Sequence, residues 1–542
     1  MDATRALDRL VDEYLGWLWT ASPVLATGLG VDGFDDRVPD LTADGFARRA
    51  EAEDAWLRRF EALDAAGLDP DERIDRDLAL STLRGARLER PWAVWRRNPD
   101  TYTGPALTGV FLLFLHREGR DEKELATYAA ARLRQVPALL AAGRENLDAA
   151  LASPVLVRRA RGQAAAGVTY ARDLVAAEVG DPALRAEVEA AGAEAAKAFE
   201  EFGTFLDDLA DRATGPYAIG EELYSALLRE REGLGYGVRE LRERGQAAYD
   251  ALAADMRRRA REISGSDDWR ALLEELNADH PATPEAMRDA YADWTAKARE
   301  FCRERQLVTL PDGEECVVEP SPPFQRPVLA VASYMTPPAF RDGRVGHFFV
   351  PYPPDGTPPE EMQKRLATNS FSSIPTIAVH EAYPGHHWHL TWALRQPRPL
   401  RKVIGSTYFV EGWGLYSEAL MTEQGFYDDP RHELCQVDAR LFRAARIVVD
   451  TSLHLGEMTV EEAVTFMSTK ASLSEPTARA EVARYCAWPT QAASYLTGAL
   501  EISRIRDRWF AEGRGTLREF HDAIAASGRL PLNLAERAVL GS

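Results

Sequence analysis

From Met1 to about Leu310 the chain repeats apolar residues at helical spacing among Ala, Leu, Glu and Arg, with only short Gly, Pro or Asp interruptions. A period near 3.6 does not suit a strand, so this pattern commits more than half of the chain to helices. The stretches Glu122 to Asp148, Ala186 to Ala213 and Val238 to Ile263 are long and amphipathic, and Asp181-Pro182 offers a cap and a first-turn proline ahead of the second. The apolar positions keep no strict heptad and glycines recur. Packed antiparallel helices are therefore expected, not a coiled coil.

Between about Val308 and Pro358 the texture changes. Proline becomes frequent, and β-forming runs appear at Cys316-Val317-Val318, at Val328 to Tyr334 and at Gly346 to Val350, which predicts a small sheet. Beyond Pro359 the helical pattern returns and carries nearly every candidate chemical group. No repeat, low-complexity segment or linker divides the chain. The expected organisation is one catalytic unit made of a helical lobe over 1–310, a strand-rich insert over 311–358 forming a cleft wall, and a helical catalytic lobe over 359–542.

Charge narrows the partners. The 542 residues include 65 basic and 85 acidic side chains, so the formal net charge is 65 − 85 = −20. That balance argues against nucleic acid, which needs clustered cations. Asp2, Asp8, Asp12 and Glu13 interrupt the first apolar stretch as a secretory signal would not, and no run reaches about 18 uncharged apolar residues, so no membrane partner is expected. Cys302, Cys316, Cys435 and Cys486 form no CxxC pair, which fits a reducing cytoplasm.

The chemistry concentrates at Ile377-Ala378-Val379-His380-Glu381-Ala382-Tyr383-Pro384-Gly385-His386-His387-Trp388-His389, which holds four of the ten histidines. A zinc-binding HExxH places two His at i and i+4 on one helix face, with the Glu as general base. Here the i+4 position is Pro384, which removes a helical hydrogen bond and clashes with the preceding turn, while Gly385 frees the backbone for a bulge. With two residues looped out, His386 joins His380 at a metal. His387 lies at i+7, about 10 Å along an undeformed helix axis, and is the runner-up. The third ligand is expected at Glu411, in Phe409-Val410-Glu411-Gly412-Trp413-Gly414, with Glu418 two turns further on the same face as a carboxylate that orients a ligand imidazole. One zinc ion per chain is expected, with one coordination position left open.

Further candidates lie downstream. Asp450 and His454 form an i, i+4 pair with Arg446 one turn before, suited to catalysis and substrate binding. Arg484, Tyr485 and Gln491 are candidates for gripping a polar end of the substrate. Trp388 and His389 read as packing residues, His347 as a strand residue near the cleft, and His116, His280, His432 and His521 show no constellation.

The stretch His380 to His386, the segment Glu411-Gly412-Trp413, and the runs Arg446 to Thr451 and Pro489 to Tyr495 resemble the bacterial DUF885 family. That family is similar to the helical gluzincin metallopeptidases, among them angiotensin-converting-enzyme-like and thimet-oligopeptidase-like enzymes. The resemblance implies a mainly α, two-lobed fold with a deep cleft and a small β-sheet beside it. It also implies a catalytic role for Tyr495 as an oxyanion donor. The HExxPGH form departs from the simple HExxH of those relatives, so the metal site carries over to His386 and Glu411 by analogy, and substrate does not carry over. The expected function is a zinc-dependent peptidase of short peptides, with Glu381 taking a proton from the attacking water. A zinc amidase or esterase on a non-peptide acyl substrate, and a non-catalytic metal-stabilised binding protein, are the alternatives.

Overall fold

Aspartates begin two of the long helices where the sequence places them. Asp181 accepts from the backbone N–H of Ala183 and Leu184 at 2.8 and 3.0 Å, so the helix starts at Pro182, on the cap signal, and runs to Ala210. Asp121 accepts from Lys123 N–H at 2.9 Å and opens Glu122–Asn146. Each such cap is worth about 1 kcal/mol. The computed structural model describes residues 3–323, 325–326, 331–341, 343 and 345–541. The fold is mainly helical with one three-stranded sheet.

The chain divides into two units. The first takes Met1–Ile219 with Pro338–Gly343, and the second takes Gly220–Pro337 with Arg344–Ser542. In the first, Glu122–Asn146 packs on Pro182–Ala210. Its buried Arg132 donates to Thr27 Oγ1 at 2.5 Å and to the Phe34 carbonyl at 3.1 Å.

The boundary expected near residue 310 falls instead at Ile219/Gly220. The helices Gly220–Glu230, Val238–Ser264 and Pro284–Glu304 belong with the downstream helices. Val238–Ser264 packs along Pro430–His454 so closely that a Cβ at Gly245 would collide with Ile447. Tyr224 on the first of the three donates to Asp450 at 2.5 Å. Amphipathicity announces a helix and its buried face, but not which element covers that face.

In the sheet, β1 (Glu315–Pro320) and β2 (Ser333–Met335) flank β3 (Val345–Val350), with β1 parallel and β2 antiparallel to it. The β2 strand is shorter than the predicted run, whose residues Val328 to Ala330 lie outside the described residues. Phe348 points into the core, edge-on to Tyr291 at 5.4 Å between ring centroids. The four cysteines are unpaired, and Cys302, Cys435 and Cys486 are buried. Among the described residues no helix is long and apolar enough to cross a membrane.

Candidate metal centre

The helix Ile374–Glu381 stops one residue after His380, and a second helix, His386–Leu394, starts at His386. Ala382 leaves the helical region at φ −114°, ψ −87°, the Tyr383–Pro384 bond is cis, and Gly385 follows at φ −72°, ψ −134°. Gly385 has no substitute here. A Cβ at that position would run into the carbonyl oxygens of Val379 and His380. The break is held from outside by Trp413, whose indole N–H donates to the Pro384 carbonyl at 2.7 Å. It brings the rings of His380 and His386 to 4.6 Å between centroids, nearly perpendicular at 87°.

Glu411 comes to this pair from the helix Thr407–Glu423. Its Oε2 lies 3.7 Å from His380 Nε2 and 3.6 Å from His386 Nε2. The three donor atoms all fall within 4.8 Å of one another. Zinc bond lengths of about 2.0–2.1 Å at tetrahedral angles put donor atoms about 3.3–3.4 Å apart, so the two separations from Glu411 fit a tetrahedral ion after a contraction of a few tenths of an ångström. Gly414, on the same helix as Glu411, permits this approach, since a Cβ there would lie 2.6 Å from His380 Cε1. Glu418 Oε1 stands 2.7 Å from His380 Nδ1, and its Oε2 accepts from Thr376 Oγ1 at 3.1 Å. This leaves His380 Nε2 to face the donors.

The electrostatics favour a positive charge at the centre. Burial works against charge on His380, yet Glu411 and Glu418 overcome it and hold the imidazole up to about 10. Burial likewise opposes ionisation of Glu411, but the two imidazoles hold its carboxyl well below the usual carboxylate range. Glu381 shows the opposite outcome. Burial pushes its carboxyl up, against the pull of His380 and His386. The donors and Glu381 line one pocket of about 490 Å³, together with Tyr334, Phe442, Arg443, Arg446 and Tyr495.

The family description "Bacterial protein of unknown function (DUF885)" matches residues 23–539. The chain belongs to the DUF885 family. No curated protein matches it. Two solved structures share the fold of this DUF885 chain over nearly its whole length. One, a "putative lipoprotein" from Colwellia psychrerythraea, has a TM-score of 0.85 at 20% identity, covering 99% of each chain. The other, a "putative lipoprotein of unknown function" from Shewanella oneidensis, has a TM-score of 0.81 at 21% identity, covering 100% of each chain.

Not every predicted site residue of the DUF885 protein reaches the pocket. Arg446 and Tyr495 line it. Asp450 and His454 share the helix face of Arg446 but lie about 6 and 12 Å beyond it along the axis. There the face is closed over, and both are fully buried. Asp450 takes the Tyr224 hydroxyl, and His454 Nε2 meets the Tyr485 carbonyl at 3.1 Å. Arg484, Tyr485 and Gln491 stand behind Arg446. Arg484 donates to both oxygens of Glu481 at 3.1 and 2.9 Å and also to Gln491, the Tyr485 hydroxyl donates to Glu481 at 2.7 Å, and Arg446 joins the same carboxylate at 2.8 Å. This group braces Arg446 and does not line the pocket.

His387 is engaged away from the three donors. Its Nε2 lies 2.6 Å from Glu314 Oε2 and its Nδ1 lies 3.0 Å from the Tyr334 hydroxyl. Glu314 also accepts from Tyr383 and, at 2.9 Å, from Arg299. Although its burial opposes charge, these donors keep its carboxyl below the ordinary range. His347 pairs with Glu319 at 2.6 Å, and Trp388 and His389 pack on Trp413 at 5.3 and 5.7 Å. Glu314, Tyr334, Arg443 and Glu481 were missed from sequence. Only Arg443 left a trace there, three residues before Arg446 on one helical face.

Proposed function

We propose that this protein is a zinc-dependent hydrolase, a metallopeptidase of short peptides related to the helical gluzincins. The observation that carries the reading is the convergence of His380, His386 and Glu411 beside Glu381 in one pocket. His380, His386 and Glu411 would hold the ion. When bound, zinc supplies a Lewis acid that polarises an acyl carbonyl and brings the pKa of water toward about 7.

The protein's own groups do the rest. Glu381, with a carboxyl raised by burial, takes a proton from the attacking water and returns it to the leaving nitrogen. Tyr495 offers a hydroxyl to the developing oxyanion from the same pocket. Arg446, held by Glu481, keeps one wall of that pocket fixed. A volume of about 490 Å³ suits a short peptide and excludes a folded protein. Glu381 also separates this reading from a metal site kept only for structure, which closes with four protein ligands and needs no base. Cytoplasmic residence is part of the proposal and is supported by four unpaired cysteines.

The deciding experiment couples metal content to turnover. Purified protein should carry about one zinc per chain, lost in His380→Ala and Glu411→Ala. Glu381→Gln should keep the zinc and lose hydrolysis of a panel of free and acylated dipeptides by about 10²–10⁴-fold. Hydrolysis of simple esters or non-peptide amides in place of the dipeptides would move the assignment to an amidase or esterase. Absence of zinc even after incubation with the metal would end the hydrolase reading.

A further inference from the structure

Two arginines enter the pocket from one helix, and their charges are not equivalent. Arg443 and Arg446, on Pro430–His454, stand three residues apart and both line the cavity. The guanidinium of Arg446 pairs with Glu481 at 2.8 Å, a carboxylate it shares with Arg484, and sits over the rings of Phe442 and Tyr495, at 4.1 and 4.7 Å. Arg443 forms no ion pair among the described residues. It donates to the Ala439 carbonyl at 3.2 Å, lies 5.4 Å from the Phe442 ring and 5.8 Å from that of Tyr495, and, like Arg446, keeps a buried Nε–H without a hydrogen-bond partner.

An arginine left without a carboxylate is unexpected in a chain of net charge −20, and more so beside a centre that holds Glu381 and Glu411. Its planar fork matches a carboxylate through two parallel hydrogen bonds. We propose that Arg443 is the recognition point for a carboxylate on the substrate, so that the pocket takes acyl compounds with a free carboxylate, such as short peptides held by their C-terminal end. The inference rests on the metallohydrolase reading and names its substrate class. Arg446, already paired and stacked, positions the aromatic wall between the two cations and leaves Arg443 as the open one.

The test uses the zinc-loaded full chain and straight-chain hydroxamates of increasing length, each ending either in a carboxylate or in the matching carboxamide, with binding followed by calorimetry. At one length the carboxylate should bind at least about tenfold more tightly than the carboxamide. Arg443→Gln should bring the two within about twofold while leaving the carboxamide affinity and the zinc content unchanged, and Arg443→Lys should keep part of the preference. Equal binding of the two series by the unaltered protein at every length overturns the proposal without reference to any variant, as does a preference that survives in Arg443→Gln. If no hydroxamate of either series binds, the metal reading itself has failed and the inference falls with it.

Discussion

Glu418 and His380 meet at 2.7 Å from neighbouring helices, both buried, with the carboxylate on the ring nitrogen that points away from Glu411. Such a partner fixes the imidazole's tautomer and raises its basicity as a ligand. Glu418→Gln should weaken zinc binding by about 10–100-fold, measured by competition with a chelating dye, with His380, His386 and Glu411 all intact. Glu418→Ala should do more, because Thr376 then loses its acceptor as well. Unchanged zinc affinity in both would show that His380 is not a ligand held by this carboxylate.

The adjacent histidines should separate cleanly. His386→Ala should abolish zinc binding, since its Nε2 lies 3.6 Å from Glu411. His387→Ala should keep zinc and lose stability instead. Its ring is fully buried against Glu314, and removing it leaves a cavity and takes one donor from a carboxylate that is 1% exposed and still held by Arg299 and Tyr383. Losing such a buried hydrogen-bond partner costs about 1–3 kcal/mol, to be read from urea unfolding. Loss of zinc in His387→Ala with retention in His386→Ala would reverse the assignment.

A single methyl group tests how tightly the Glu411 helix packs on the centre. In Gly414→Ala the new Cβ would press on His380 Cε1 at 2.6 Å, so either the ring or the helix must move. We expect a destabilisation of about 1–3 kcal/mol together with a clear loss of zinc affinity. Full zinc affinity would mean that the ring turns aside without leaving the donors, which the Glu418 contact argues against.

What the sequence disclosed follows the range of each interaction. Helical periodicity, the Asp181-Pro182 start and the small sheet are local patterns, and they were readable as such. The meeting of His380, His386 and Glu411 was readable too, because the break between the first two is local chemistry at Pro384 and Gly385. The unit boundary was not, since the faces of Val238–Ser264 do not say that Ile447 will cover them. Glu314 reaches His387 across 73 residues, and Glu481 reaches Arg446 across 35, with no spacing rule to announce either. Asp450 and His454 mark the opposite error. Their i, i+4 spacing was real, but it placed them past the end of the pocket.

That buried pair makes a last prediction about pH. Burial raises Asp450 from its ordinary 3.8 to about 7, with the Tyr224 hydroxyl pulling the other way. Burial lowers His454 from 6.5 to about 4, against the pull of the Tyr485 carbonyl. Between about pH 4 and 7 the folded state therefore holds a proton on Asp450 that the unfolded chain has released, so this group's contribution to stability falls as pH rises. Between about pH 4 and 6.5 the unfolded chain holds a proton on His454 that the folded state lacks, so this contribution rises with pH. The two slopes oppose each other over most of the range, and the pair together leaves stability nearly flat. Relative to the unaltered protein, Asp450→Asn should gain stability as pH rises from about 4 to 7, and His454→Gln should lose it from about 4 to 6.5. Unfolding in urea at pH 4.5 and pH 7.5 reads both differences. Equal shifts of the same sign in the two variants would mean that the pair does not exchange protons with folding in this way.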